Sequence, residues 1–336
     1  MTTGEPEPEV RQAAAARRAP TMTWRHLYTL ATERLGSDVE ARRVVERASG
    51  REGPDWLLTL DAPVPKRAVP FFDEMVERRA AGEPLQYVLR RWGFRTLDLL
   101  VDRRVLIPRP ETEVVVEVAI RELRRLDSRR PLVADLGTGS GAIALSIAVE
   151  VPSAHVWATD VSEDALAVAR ANLAGIGSPA ATRVRMACGR WFDALPGALR
   201  GQFDLVVSNP PYIADGEVLP AEVADWEPRR ALVAGPTGTE AIAELVAGAG
   251  PWLAPGGAVV VEIAPHQAER ATQLARDGGF GEVEIRPDLA GNDHEPQPPL
   301  RHDASCAFRS QHRPPADGVA RRKARAAAEI LNRRGL

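Results

Sequence analysis

Two cysteines in 336 residues leave no room for a disulfide framework. Cys188 and Cys306 belong to no C-x-x-C pair, and the six histidines are scattered. His302 and Cys306 fit one helical face, but the pattern is not that of a metal centre, so no metal is expected. Lysine is nearly missing: Lys66 and Lys323 stand alone among many arginines. A formal net charge of -3 excludes a global polyanion-binding surface, and no direct nucleic-acid partner is expected. Every apolar run is broken by glycine or proline before it could span a bilayer. The Ala/Arg-rich start resembles a transit peptide in composition, but Glu5, Glu7 and Glu9 speak against one. These absences predict a cytoplasmic protein with no membrane association. No internal repeat is present.

What the chain does contain divides into five stretches. Residues 1–22, rich in Glu, Pro, Ala and Arg, have the composition of a disordered tail. Residues 23–92 carry apolar positions at helical spacing, Leu27, Leu30, Ala31 and Leu35, then Phe71, Met75 and Val76, which predicts a small helical domain. Residues 93–130 read as a hairpin and a linker helix opened by Pro110, with Glu111 and Glu113 favourably placed in the first turn. That placement accounts for the acidic pair better than a general-base role does. Residues 131–308 alternate strand and helix. Residues 309–336 form a basic tail, with eight Arg/Lys against Asp317 and Glu329.

The chemistry sits in the fourth stretch. The strand Pro131–Leu136 runs into Gly137, Thr138, Gly139, Ser140 and Gly141, followed by an apolar helix. Glycines here permit positive φ and close approach of a ligand, and the helix offers free N–H groups. The spacing is not that of dinucleotide sites, and there is no Walker lysine. About twenty residues on, the next strand ends in Asp160, where a carboxylate can grip ribose hydroxyls. Ser162 caps the helix that follows. A third strand, Arg183–Ala187, leads to Trp191, which fits a lid over an adenine ring and a core tryptophan in a turn equally well. The buried strand Phe203–Ser208 ends in Asn209, Pro210, Pro211 and Tyr212. Asn209, before a proline, is forced into extended backbone. Pro210 and Pro211 contribute carbonyls without N–H donors. Two acceptors beside an aromatic face make a receptor for a planar –NH2 group conjugated to a carbonyl or a ring.

In their order, Asp135 to Gly141, Asp160 and Asn209 to Tyr212 resemble the motifs of class I S-adenosylmethionine-dependent methyltransferases acting on a planar amino group. The segment Ile107-Pro108-Arg109-Pro110-Glu111-Thr112-Glu113 is similar to the signature of the release factor glutamine methyltransferases, the PrmC/HemK family. The resemblance runs from about Trp24 to Leu289 and includes Gly82 to Tyr87 and Pro220 to Arg229. A sister family acting on a ribosomal protein carries a different proline-containing segment here, which favours the release-factor branch.

The resemblance implies an α/β fold: a Rossmann-like core with a mostly parallel seven-stranded sheet and a small N-terminal helical domain that recognises substrate. It implies that Gly137 to Gly141 wrap the methionine part of S-adenosyl-L-methionine, Asp160 its ribose and Trp191 its adenine. Asn209, Pro210, Pro211 and Tyr212 would hold the substrate glutamine amide, with Asn209, Pro210 and Tyr212 serving catalysis and Asn209 also near the methyl donor. The implied reaction is N5-methylation of the Gly-Gly-Gln glutamine in peptide chain release factors by a monomeric enzyme. The chain departs from the family pattern in lacking glycines near Arg90 and Ala264. It also reads Ala290-Gly291-Asn292-Asp293-His294 before a proline-rich stretch, which leaves the last strand open. Two other readings remain: an N6-adenine methyltransferase on DNA or RNA, which uses the same tetrapeptide, and a binding protein with a vestigial cofactor fold.

Overall fold

The computed structural model describes residues 22–126, 128–177, 179–287 and 304–310. Residues 1–21 and 311–336, which hold nearly all of both tails anticipated from composition, and the segment 288–303 lie outside the described residues. The chain divides into two compact units, with the boundary between Leu89 and Arg90.

The first unit is helical: α1 (Trp24–Leu35), α2 (Asp38–Ser49), α3 (Pro54–Thr59), α4 (Val69–Ala80) and α5 (Leu85–Leu89). The Thr23 and Ser37 hydroxyls cap α1 and α2, and left-handed Gly36 and Gly50 end them. Trp24, Leu27, Ala31, Val44, Val45, Phe72 and Met75 form its core. Leu30 and Phe71, two of the apolar positions at helical spacing, face solvent at 42% and 41% exposure. Each lies beside the buried stripe: Phe72 and Met75 take the inward face of α4, and Phe71 points about 100° away.

The second unit opens with the hairpin β1 (Trp92–Phe94) and β2 (Leu97–Leu99), turned at Arg95 with φ of +51°. The hairpin anticipated at the start of residues 93–130 therefore begins one residue earlier, at Trp92, and ends at Leu99. After it come α6 (Pro110–Arg125), β3 (Leu132–Leu136), α7 (Ala142–Glu150), β4 (His155–Asp160), α8 (Glu163–Ile176), β5 (Val184–Cys188) and β6 (Phe203–Ser208). The remainder is β7 (Ile213–Ala214), α9 (Ala221–Trp226), β8 (Val233–Gly235), α10 (Glu240–Ala249), β9 (Leu253–Ile263), α11 (Ala268–Asp277), β10 (Phe280–Pro287) and β11 (Ala304–Ser310).

Seven strands form one sheet in the order β10-β11-β9-β6-β3-β4-β5. The five central and far strands run parallel, and β11 pairs antiparallel with both β9 and β10. The last strand thus forms from Ala304–Ser310, beyond the proline-rich stretch, and passes the boundary at residue 308 expected for the core. Arg309 anchors it through two hydrogen bonds to the buried Glu122 of α6, at 3.0 and 2.8 Å. The strand order reverses between β3 and β6, and loops leaving the carboxyl ends of strands there open the crevice where ligands bind in such sheets. No helix among the described residues is long and apolar enough to cross a membrane.

Candidate active site

A cavity of about 340 Å³ lies over those strand ends. Gly137, Thr138, Gly139, Ser140, Asp160, Trp191, Asn209 and Pro211 all line it, so residues spread over more than seventy positions converge. Gly141, Pro210 and Tyr212 do not line it. Gly141 starts α7 in left-handed backbone, where a β-carbon would press on Leu145 at 3.1 Å. Pro210 is buried, and the Tyr212 ring packs with Ile213, Val223 and Leu232.

The glycine loop is held from several sides. Gly137 and Thr138 donate backbone N–H bonds to the Thr159 carbonyl, both at 2.8 Å. Asn172 of α8 donates to the Ser140 carbonyl at 2.9 Å and pairs with both backbone groups of Leu100. Asp160 accepts the Gly139 N–H at 2.9 Å and the Ser162 N–H at 2.8 Å. Those two bonds use about half its lone pairs, and the rest are available to ligand hydroxyls in the cavity. Burial pushes the Asp160 carboxyl up, while the backbone N–H bonds and the Arg230 guanidinium pull it back.

Trp191 carries left-handed backbone, φ +44°, which a bulky side chain adopts only under compensation. The compensation is visible. Its indole N–H donates to Glu244 at 2.7 Å, its carbonyl accepts from the Thr159 hydroxyl at 3.3 Å, and its ring edge lies over Gly137. A β-carbon at Gly137 would come within 3.3 Å of the indole, so the two positions are fitted to each other. The ring is half-buried and lines the cavity while its inner side packs on the core. The core reading of Trp191 thus describes one side of the ring, and the other side faces the cavity.

The Asn-Pro-Pro-Tyr loop is tied down as firmly. The Ser208 hydroxyl donates to the Leu136 carbonyl at 2.6 Å, clipping the end of β6 to the end of β3. Buried Gln267 donates to the Tyr212 and Gly238 carbonyls, at 2.8 and 3.0 Å, and accepts the Ala264 N–H at 3.1 Å. The Asn209 side-chain amide donates to the Thr112 hydroxyl at 3.0 Å. On the facing wall, buried Glu227 accepts from the Arg109 guanidinium and the Ile107 N–H, fastening the Ile107-Pro108-Arg109 segment beside the cavity. Burial raises the Glu227 carboxyl, and Arg109 opposes that shift.

Thr112, Gln267, Asn172 and Glu227 were not singled out from the sequence as site residues. Only their partners identify them, and those lie 97, 55, 72 and 120 positions away. Among the described residues no cluster of three or more His, Cys, Asp or Glu side chains could hold a metal.

Asp135 organises the loop from beneath. One carboxylate oxygen accepts from the Thr138 hydroxyl at 2.6 Å and the Ala144 N–H at 3.1 Å, and the other is buried without a hydrogen bond. Desolvation raises its pKa from 3.8 to about 7, partly offset by those two bonds. A carboxyl raised on folding favours the folded state fully below pH 3.8, and that contribution is lost as pH rises through 7. The melting temperature of cofactor-free protein is therefore expected to fall as pH rises from about 4 to about 7 and to level off above that, and Asp135→Asn to flatten the fall. Identical pH profiles for the two proteins would remove Asp135 as the cause.

The doubly wound sheet, the glycine loop at its switch point, the acid ending β4 and the Asn-Pro-Pro-Tyr loop after β6 define a class I methyltransferase. Residues 117–225 match the family model of the methyltransferase small domain, and residues 29–89 that of the PrmC N-terminal domain. The chain is 43% identical over 256 residues to the release factor glutamine methyltransferase of Bordetella pertussis, covering 75% of this chain and 91% of that protein. The enzyme of the same name from Xylella fastidiosa strain 9a5c is 42% identical, with 80% and 94% covered. That from Deinococcus radiodurans is 38% identical, with 81% and 96% covered. The chain belongs to the release factor glutamine methyltransferase family.

Proposed function

We propose that the protein transfers a methyl group from S-adenosyl-L-methionine to the side-chain amide nitrogen N5 of the Gly-Gly-Gln glutamine in peptide chain release factors. The observation that carries this reading is the sharing of one cavity by Asn209, Asp160 and the glycine loop. The cofactor supplies an electrophilic methyl on a sulfonium. The chain's residues fit it: Gly137 to Gly141 admit close backbone approach, Asp160 has lone pairs to spare for ribose hydroxyls, and Trp191 offers a flat face.

An amide nitrogen is a weak nucleophile, because its lone pair is delocalised into the carbonyl. The Asn209 side-chain oxygen accepts one of its N–H groups and fixes the nitrogen in line with the methyl. Proximity and alignment supply most of the rate. As positive charge grows on nitrogen, the same acceptor stabilises it. The nitrogen then gives up one proton to solvent, leaving the neutral N-methyl amide. Glu113 is not needed as a base; its carboxylate accepts the Arg95 N–H at 2.8 Å and braces the hairpin turn.

The helical unit is read as the substrate-recognition domain. It exposes Val39, Leu57 and Leu58, at 64%, 63% and 83%, on a domain that the chemistry itself does not require. Remote contacts of this kind would position a glutamine that alone offers little binding surface. The enzyme is proposed to act as a cytoplasmic monomer.

The test is incubation of a purified release factor with cofactor and enzyme, followed by mapping of the modified residue by mass spectrometry. One methyl on the Gly-Gly-Gln glutamine is expected. Labelling of an oligonucleotide with steep salt dependence, and none of release factor, would establish the adenine-methylating alternative instead. Binding of cofactor without turnover on either would leave only the vestigial-fold reading.

A further inference from the structure

We propose that Thr112 is a positioning residue for the methyl-accepting nitrogen: its hydroxyl accepts the Asn209 side-chain N–H and so turns the Asn209 carbonyl oxygen toward the substrate amide. The inference deepens the proposed function and rests on it.

A carboxamide is nearly symmetric in shape but opposite in chemistry at its two ends. Only the orientation with the oxygen forward can receive an N–H from a substrate –NH2. The reverse would set one amino group against another, and two groups with only hydrogens to offer cannot bond. Nothing in the Asn-Pro-Pro-Tyr backbone makes the choice, since Pro210 and Pro211 have no N–H to hold the asparagine oxygen back or forward.

Thr112 makes it. Its oxygen lies 3.0 Å from Asn209 Nδ2, and both residues line the cavity. Thr112 is 3% exposed, so little solvent competes for the contact. It is also rigidly mounted. Its own N–H donates to the Arg109 carbonyl at 3.1 Å in the first turn of α6, and Arg109 is held by buried Glu227. The β-branched side chain adds restriction about χ1. The segment Ile107 to Glu113 thereby contributes to the chemistry through a hydroxyl, although its charged residues serve the architecture.

The test compares Thr112→Val and Thr112→Ser, with kcat and KM measured on intact release factor. S-adenosylhomocysteine affinity is measured by calorimetry, and melting temperature monitors the fold. Valine keeps the shape and removes the acceptor; serine restores it. Thr112→Val is expected to lower kcat by about 10- to 100-fold, as small misplacements of a reacting group do. KM and cofactor affinity are expected to stay within about threefold, and Thr112→Ser to recover most of kcat. Should valine unfold the protein, Thr112→Ala carries the same expectation. Wild-type kcat in Thr112→Val, or serine as impaired as valine, would overturn the inference while leaving the proposed function standing. A wild-type enzyme inert on release factor would overturn both.

Discussion

Asn209→Ala is expected to lower kcat on release factor by about two to three orders of magnitude, the loss typical of removing one aligned polar group from a charge-developing centre. The truncation removes the side-chain acceptor for the substrate amide but leaves β6 intact, because Ser208 still clips that strand to Leu136 and Gln267 still holds the far end of the loop. Cofactor affinity, measured by calorimetry with S-adenosylhomocysteine, is expected to change by no more than about tenfold, since the glycine loop and Asp160 are untouched. Retention of near-normal turnover at saturating release factor would refute the amide-receptor account.

Asp160→Ala produces the opposite split. Its carboxylate is proposed to accept two ribose hydroxyls, and hydrogen bonds to a charged group contribute about 1.5–3 kcal/mol. The alanine variant is therefore expected to bind S-adenosylhomocysteine roughly 10- to 150-fold more weakly. The Gly139 tether is lost at the same time, which adds disorder to the loop. Asp160→Asn keeps one acceptor but introduces a donor facing the Gly139 or Ser162 N–H, and is expected to fall between the two. Unchanged affinity in a folded Asp160→Ala protein would take Asp160 out of the binding site.

The parts of this molecule that were legible in its sequence are those whose physics is local. Strands β3, β4 and β6 are short apolar runs buried between neighbours, and each announces its end with glycine, an acid or proline. The first part of β9 was not legible, because Pro255, Gly256 and Gly257 are poor strand formers. Pairing shifts register there, and a β-carbon at Gly257 would meet two backbone carbonyls at 2.9 Å. Strand β11 was left open because its segment carries little apolar weight beyond Ala307 and Phe308, and its place is set by strands it follows at a distance. Thr112 and Gln267 were invisible for the same reason: a hydroxyl and an amide signal nothing until a distant partner arrives.

The two departures from the family's glycines differ in physical weight. Ala264 has φ of -71°, open to any residue, so alanine is accommodated without strain. Arg90 has φ of +54°, where a side chain costs about 1–2 kcal/mol that glycine would not. A weak ion pair with Asp102 at 4.0 Å offsets little of that cost at an exposed position.

The insertion of β11 between β9 and β10 bears on how the protein is made. A chain emerging from the ribosome exposes β9 with one side unpaired, and β10 has no neighbour at all until residues 304–310 follow. The sheet cannot close co-translationally from its amino-terminal side; it waits for the last strand to slot in between β9 and the edge strand β10. During that interval Val259, Val260 and Val261 form a bare apolar edge of the kind that invites aggregation. A premature stop shortly after residue 287 would therefore yield not a slightly shortened enzyme but a nascent product with an open, adhesive sheet.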